Sequence, residues 1–232
     1  MIRFRKILFN NEIIVLISFF LSPQLFFGQQ YNFSKISIEE GLSSRGVYSI
    51  CEGPKGRLWI GLEGEGVNIY DGREIIHYSD YHLGQNVRVI FKDSRNKMWF
   101  GSSNQGISIL DNQKVFKINT DQGLFVNHIR AITEDRNRNV WAATLGGGVT
   151  RIEGYKVTQN ISLKDGLPSL NCRAILMRSN GEMWVGTDKG IGVFENGKLL
   201  KVINRDSGLS QNKILSLFED NKGVVWVGTE KV

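Results

Sequence analysis

The sequence predicts an all-β fold, a β-propeller of four-stranded antiparallel blades with about 4.5 blades of a larger ring present. Three observations carry this. All five tryptophans fall at a near-constant period, at Trp59, Trp99, Trp141, Trp184 and Trp226, separated by 40, 42, 43 and 42 residues. Each sits in the same setting. Nine residues before it stands an aliphatic side chain (Ile50, Ile90, Ile132, Ile175, Leu217), twelve before it another apolar one (Val47, Val87, Ile129, Cys172, Ile214), and two after it a small residue (Gly61, Gly101, Ala143, Gly186, Gly228). The connections are rich in turn chemistry, with 26 glycines against 3 prolines. A repeat of this length with strand-type content is the mark of stacked or radial supersecondary units, here propeller blades.

The chain opens with a basic start and the nine-residue apolar run Ile13 to Leu21, then a Ser-Pro break and Phe26-Phe27-Gly28. That run is too short to span a bilayer and has the layout of a secretory signal peptide over residues 1–28. An uncleaved anchor is the alternative, because Phe26 fits a small-residue cleavage site poorly. Either way the remainder, 29–232, is expected to be exported, to the periplasm in a bacterium. Losing Arg3, Arg5, Lys6 and Glu12 with the leader lowers the formal charge from +6 to +4. So mild an excess, without a Lys/Arg run, gives no expectation of a nucleic-acid partner.

Gln30 to Glu40 alternates apolar and polar residues and ends at Gly41-Leu42. Later segments that close one repeat and lead into the next read the same way, so residues 31–38 are expected to form a displaced outer strand that fastens the ring. The repeats follow at about 41–81, 82–122, 123–165, 166–207 and 208–232. First strands are expected at 46–52, 86–92, 128–134, 171–177 and 213–219, and second strands carry the tryptophans. Their apolar residues are not confined to alternate positions, as in Leu58-Trp59-Ile60, which suits strands buried on both faces between neighbouring blades. The first connection carries Asp93, Asp135 or Asp220 and, three residues on, Asn96, Gly223 or their equivalents, as a type I turn with a left-handed position requires. Arg138 breaks that pattern. The fifth repeat stops at Val232, where the fourth has Gly190, so nineteen strands are expected and the chain reads as part of a longer protein.

The strings GLSSRGVYSICEGPKGRLWIGLEGEGVNIYDG, GLPSLNCRAILMRSNGEMWVGTDKGIGVFENG and GLSQNKILSLFEDNKGVVWVGTE resemble the two-component regulator propeller repeat. The resemblance covers residues 31–232. It implies the periplasmic sensor region of a hybrid histidine kinase or related protein, in which seven-bladed propellers precede a membrane span and cytoplasmic output domains and glycan fragments are sensed. No kinase phosphoacceptor region or ATP-binding domain lies in this chain, so the missing blades and output domains would be partners within the same protein.

Catalysis finds little support. His77, His82 and His128 are scattered without metal-ligand spacing, so no metal or cofactor is expected. Asp135-x-Asn137-x-Asn139 imitates the start of a calcium loop but has Val140 and Gly146 where Gly and Glu belong, and is read as a turn. Gly146-Gly147-Gly148 has no helix after it to bind phosphate and is read as the turn between second and third strands. Cys51 and Cys172 occupy non-equivalent positions and are read as small buried hydrophobes.

The more informative set is Arg88, Arg130 and Arg173. Each follows the first apolar residue of a first strand in three successive blades, so three guanidinium groups can face one mouth of the central channel and hold an acidic sugar or other anion. The competing reading ties each to an upstream acid such as Asp121 or Asp165. Topology places Ser44, Arg45, Glu63, Asn86, Asn104, His128, Asn171, Lys189 and Asn212 in loops on the same face, where they would surround an oligosaccharide ligand. A propeller lyase, an interaction scaffold or a gene remnant remain the alternative readings.

Overall fold

The computed structural model describes residues 35–78 and 83–230. The signal-peptide reading of residues 1–28, His82 and the first half of the proposed leading strand lie outside them. Residues 36–232 form one compact unit. Its strands are β1 (Val47–Glu52), β2 (Leu58–Leu62), β3 (Val67–Tyr70) and β4 (Ile75–Tyr78) in blade one; β5 (Val87–Lys92), β6 (Met98–Ser102), β7 (Ile107–Asp111) and β8 (Lys114–Ile118) in blade two. Blade three holds β9 (Ile129–Glu134), β10 (Val140–Thr144), β11 (Gly148–Glu153) and β12 (Lys156–Ile161); blade four β13 (Cys172–Met177), β14 (Met183–Thr187), β15 (Gly190–Glu195) and β16 (Lys198–Ile203). Blade five holds β17 (Ile214–Glu219) and β18 (Val225–Thr229). Each set pairs antiparallel in chain order as its own sheet, the arrangement of a β-propeller.

Among the described residues there are eighteen strands, and half of the expected nineteenth, over 31–38, lies outside them. The described part of the leading segment is a turn: the Leu42 N–H donates to Ser37 O at 3.0 Å, and Ser37 N–H to Glu40 Oε2 at 2.7 Å. Asn119, Ser162 and Asn204 start the same turn before the next first strands, each ending at a left-handed glycine. In those three places the capped turn follows a paired fourth strand, β8, β12 or β16, and most of the matching stretch before Ser37 lies outside the described residues.

The tryptophans fill the seams. Trp59 packs with Val87, Ile90 and Phe100 of blade two, Trp99 with Ile129 and Val140 of blade three, Trp141 with Cys172 and Val185 of blade four, and Trp184 with Ile214 and Leu217 of blade five. Truncating a buried indole to alanine costs about 3–5 kcal/mol. Trp226 has no following blade among the described residues and is 63% exposed, against 0% for Trp99. The small residue two positions on lets the next blade approach: a Cβ on Gly101 would lie 2.6 Å from Ile129 Cγ2, and one on Gly186 2.6 Å from Ile214 Cγ2.

The aspartates of the first connection do more than turn the chain. Asp93 Oδ1 accepts the N–H groups of Arg95 and Lys97, and its Oδ2 accepts the Trp99 indole N–H at 3.0 Å. Asp135 and Asp220 serve Trp141 and Trp226 identically, at 2.9 Å each. Burial pushes the Asp135 carboxyl up, but donors from Asn139 and Trp141 outweigh it and hold the group below the usual carboxylate range. These oxygens are committed to turn and indole, which is why the calcium-like spacing makes a turn. Arg138 forms the same turn despite its side chain, at φ 63°. In blade four Arg178 replaces the aspartate and Glu182 takes the Trp184 indole, while in blade one Gly53 supplies nothing and the Trp59 indole nitrogen has no partner among the described residues. Cys172 is buried, its thiol pushed up to about 12 by that burial, whereas Cys51 is only half-buried.

Candidate functional site

Arg88, Arg130 and Arg173 come together, and the backbone explains how. In each first strand the pairing register skips one residue between Val87 and Val89, Ile129 and Ala131, and Cys172 and Ala174. The skipped residue is the arginine. Each is thus the extra residue of a β-bulge, a device that turns a side chain out of the ladder. Blade one has the same bulge at Tyr48.

The row Tyr48, Arg88, Arg130, Arg173 runs across four successive blades, and two positions after the small residue of each second strand stand Glu63, Ser103, Leu145 and Asp188. Tyr48 is hydrogen-bonded to Glu63, which raises its pKa, with burial adding to the rise. Arg88 donates Nε–H to Ser103 Oγ at 2.8 Å and lies 3.8 Å over the Tyr48 ring. Arg173 donates Nε–H to Asp188 Oδ1 at 2.7 Å. The suggested ties to Asp121 and Asp165 do not form: Asp165 instead accepts from Ser162 at the preceding turn, at 2.9 Å from its N–H.

Arg130 is different because its partner position is Leu145. Among the described residues it makes no hydrogen bond or ion pair, and burial together with the charges of Arg88 and Arg173 lowers its pKa. His128, two residues upstream, is in the same field. Its Nε2 is enclosed without a partner, and burial followed by repulsion from Arg130, Arg88 and Arg173 lowers its pKa. A guanidinium without an acidic partner can donate to acceptor oxygens from outside the chain.

The remaining predicted residues divide. Asn86 ties loops, its Oδ1 accepting Gly64 N–H at 2.9 Å. Asn171 supports Asp188. Ser44 Oγ accepts Gly46 N–H at 3.2 Å, and Asn212 Oδ1 accepts Arg205 N–H at 2.8 Å. Arg45, Glu63, Asn104 and Lys189 are exposed, and no contact joins Arg45, Asn104 or Lys189 to the arginine row. His77 is engaged with Ser43 Oγ at 3.1 Å and Gly41 O at 2.9 Å. Tyr48, Ser103 and Asp188 escaped sequence reasoning, although the repeat column of the arginines contains Tyr48.

A family model described as two component regulator propeller matches residues 41–64, 123–146, 166–189 and 208–231. The matched segments lie in blades one, three, four and five. The chain is similar to the extracellular domain of a hybrid two component system from B. thetaiotaomicron, with 29% identity and a TM-score of 0.72 over 86% of this chain and 27% of that one. A second such domain from B. thetaiotaomicron matches at 20% identity and TM-score 0.67, over 79% of this chain and 28% of the other. A virginiamycin B lyase from Staphylococcus aureus, at 18% identity and TM-score 0.62 over 78% of this chain and 62% of that one, shares the fold. The chain spans about a quarter of the length of the two extracellular domains. No curated protein sequence matches it. No helix among the described residues is long and apolar enough to cross a membrane.

Proposed function

We propose that this propeller is the ligand-reading part of an exported, periplasmic signalling protein, non-catalytic itself, and that it holds an anionic ligand of the acidic-oligosaccharide class at the Arg88–Arg130–Arg173 row. The observation that carries the reading is the uncompensated Arg130, flanked by Arg88 and Arg173, whose hydrogen bonds among the described residues engage only their Nε–H groups. Family resemblance and the extracellular neighbours support reception over catalysis. The face carrying Trp226, Phe218 and Val224 is exposed, whereas the equivalent indoles of blades one to three are 6%, 0% and 5% exposed beneath a following blade. We take a further blade of the same protein as its partner, and output domains beyond that as the receivers of the signal.

The test is calorimetric titration of the full chain with trigalacturonate and with its fully methyl-esterified form, which has the same length without the charges. Binding of the acid alone, weakening as salt is raised, supports the reading. Equal binding of both forms, or of neither, overturns it.

A further inference from the structure

Blade three breaks the repeat at a second place, at the other end of the blades from the arginine row. The cross-strand partner of the tryptophan on the third strand is Ile69 in blade one, Ile109 in blade two and Val193 in blade four. In blade three it is Arg151, opposite Trp141. Ile69, Ile109 and Val193 are 4%, 0% and 0% exposed, so an arginine stands in a column that otherwise seals the seam.

The same seam lacks a tie its neighbours have. Between blades two and three Glu134 accepts from Ser94 N–H at 2.8 Å, and between blades four and five Glu219 accepts from Ser179 N–H at 2.7 Å. Between blades three and four the corresponding residues are Met177 and Arg136, which make no such bond. With the aliphatic plug and the tie both gone, the seam opens as a cleft of about 390 Å³. That is the lower end of the roughly 300–1,000 Å³ of small-molecule sites.

Its walls are specific. Arg151 lies with its guanidinium 5.7 Å from the Trp141 ring centroid, and one nitrogen pairs with Glu153 at 3.0 Å, but its buried Nε has no partner. Arg136 reaches across Gly181 from the rim without an ion pair. Gln159, Asn180 and Asn196 add amides, each both donor and acceptor. Gln159 fits because Gly197 lacks a side chain, since a Cβ there would be 3.0 Å from Nε2. Amides match the paired donor and acceptor character of sugar hydroxyls, and the two arginines match a carboxylate.

The geometry points to a binding site for a monosaccharide-sized uronic acid between blades three and four, separate from the arginine row. The test uses ¹⁵N-labelled full chain titrated with D-glucuronate, D-glucose and acetate, following the five indole N–H signals. Glucuronate is expected to shift the Trp141 signal with a Kd of about 1 mM, at least tenfold tighter than glucose or acetate. Arg151→Ile, which restores the residue type of blades one and two, weakens this at least tenfold. Arg136→Ser, a surface change to the residue of blades two and four, weakens it and gives a second readout should Arg151→Ile misfold. Arg130→Leu leaves it unchanged, which separates this site from the row. A Trp141 signal unmoved by glucuronate, one moved equally by all three probes, or an undiminished response in folded Arg136→Ser and Arg151→Ile overturns the proposal.

Discussion

Replacing Asp93 with alanine isolates what the turn aspartate contributes inside a seam. Its carboxylate is fully enclosed and accepts three short donors, the N–H groups of Arg95 and Lys97 at 2.9 and 2.8 Å and the Trp99 indole at 3.0 Å, with the Arg95 guanidinium farther off at 3.5 Å. Trp99 is 0% exposed, so no water can replace the lost acceptor. A buried donor left unsatisfied costs about 1–3 kcal/mol, and bonds to a charged acceptor are at the strong end. Counting the indole in full and the two turn N–H groups in part, Asp93→Ala should cost about 3–4 kcal/mol. Asp220→Ala removes the same three bonds, at 2.9, 3.0 and 2.9 Å, around an indole that is 63% exposed. Water takes over there, and the cost should be under about 1 kcal/mol. Urea unfolding followed by tryptophan fluorescence measures both. Equal losses would refute the reasoning, because they would assign the effect to the turn alone and not to a buried indole.

Two further predictions follow from the same geometry. Gly148→Val should destabilise the fold by more than about 2 kcal/mol, read as a lowered urea midpoint, since φ is 78° there and a Cβ would lie 2.2 Å from Ile161 O. His128 is held below its ordinary pKa by burial and by Arg130, Arg88 and Arg173, so the folded state favours the neutral ring. Its contribution to stability is present above about pH 6.5 and fades as pH falls through the lowered folded value. A bound anion reverses the balance, so trigalacturonate binding should tighten between about pH 7 and 5, and His128→Leu should flatten that profile.

Much of the fold is legible because blades repeat: a column of five indoles fixes the second strands, and the aliphatic residues before them place the first strands to within a residue. The arginine row is legible for the same reason, as three residues sharing one column. Its chemistry is not. The bulge that turns Arg130 outward is a register shift between two strands, and its unpaired state depends on Leu145 standing where blade four has Asp188; neither is visible until the hairpin is paired. Asp93 and Asp135 read as turn formers, while their bonds to Trp99 and Trp141 cross from loop to strand and carry no local signal. The cleft was missed because Arg151 looks like an ordinary surface arginine until Ile69, Ile109 and Val193 are set beside it. The strand expected over 31–38 lies half outside the described residues, and its described end caps a turn at Ser37 as Asn119, Ser162 and Asn204 do after their own strands.

The central claim is that Arg130 is kept for a ligand and not for the fold. Arg130→Leu, compared with the parent chain in thermal unfolding and in calorimetric titration with trigalacturonate, tests it directly. Removing the middle of three like charges, which has no partner among the described residues, should leave Tm unchanged or higher and weaken binding roughly 10–100-fold, as the loss of one charged hydrogen-bonded contact implies. A lower Tm with undiminished binding would contradict it and make Arg130 a structural tie.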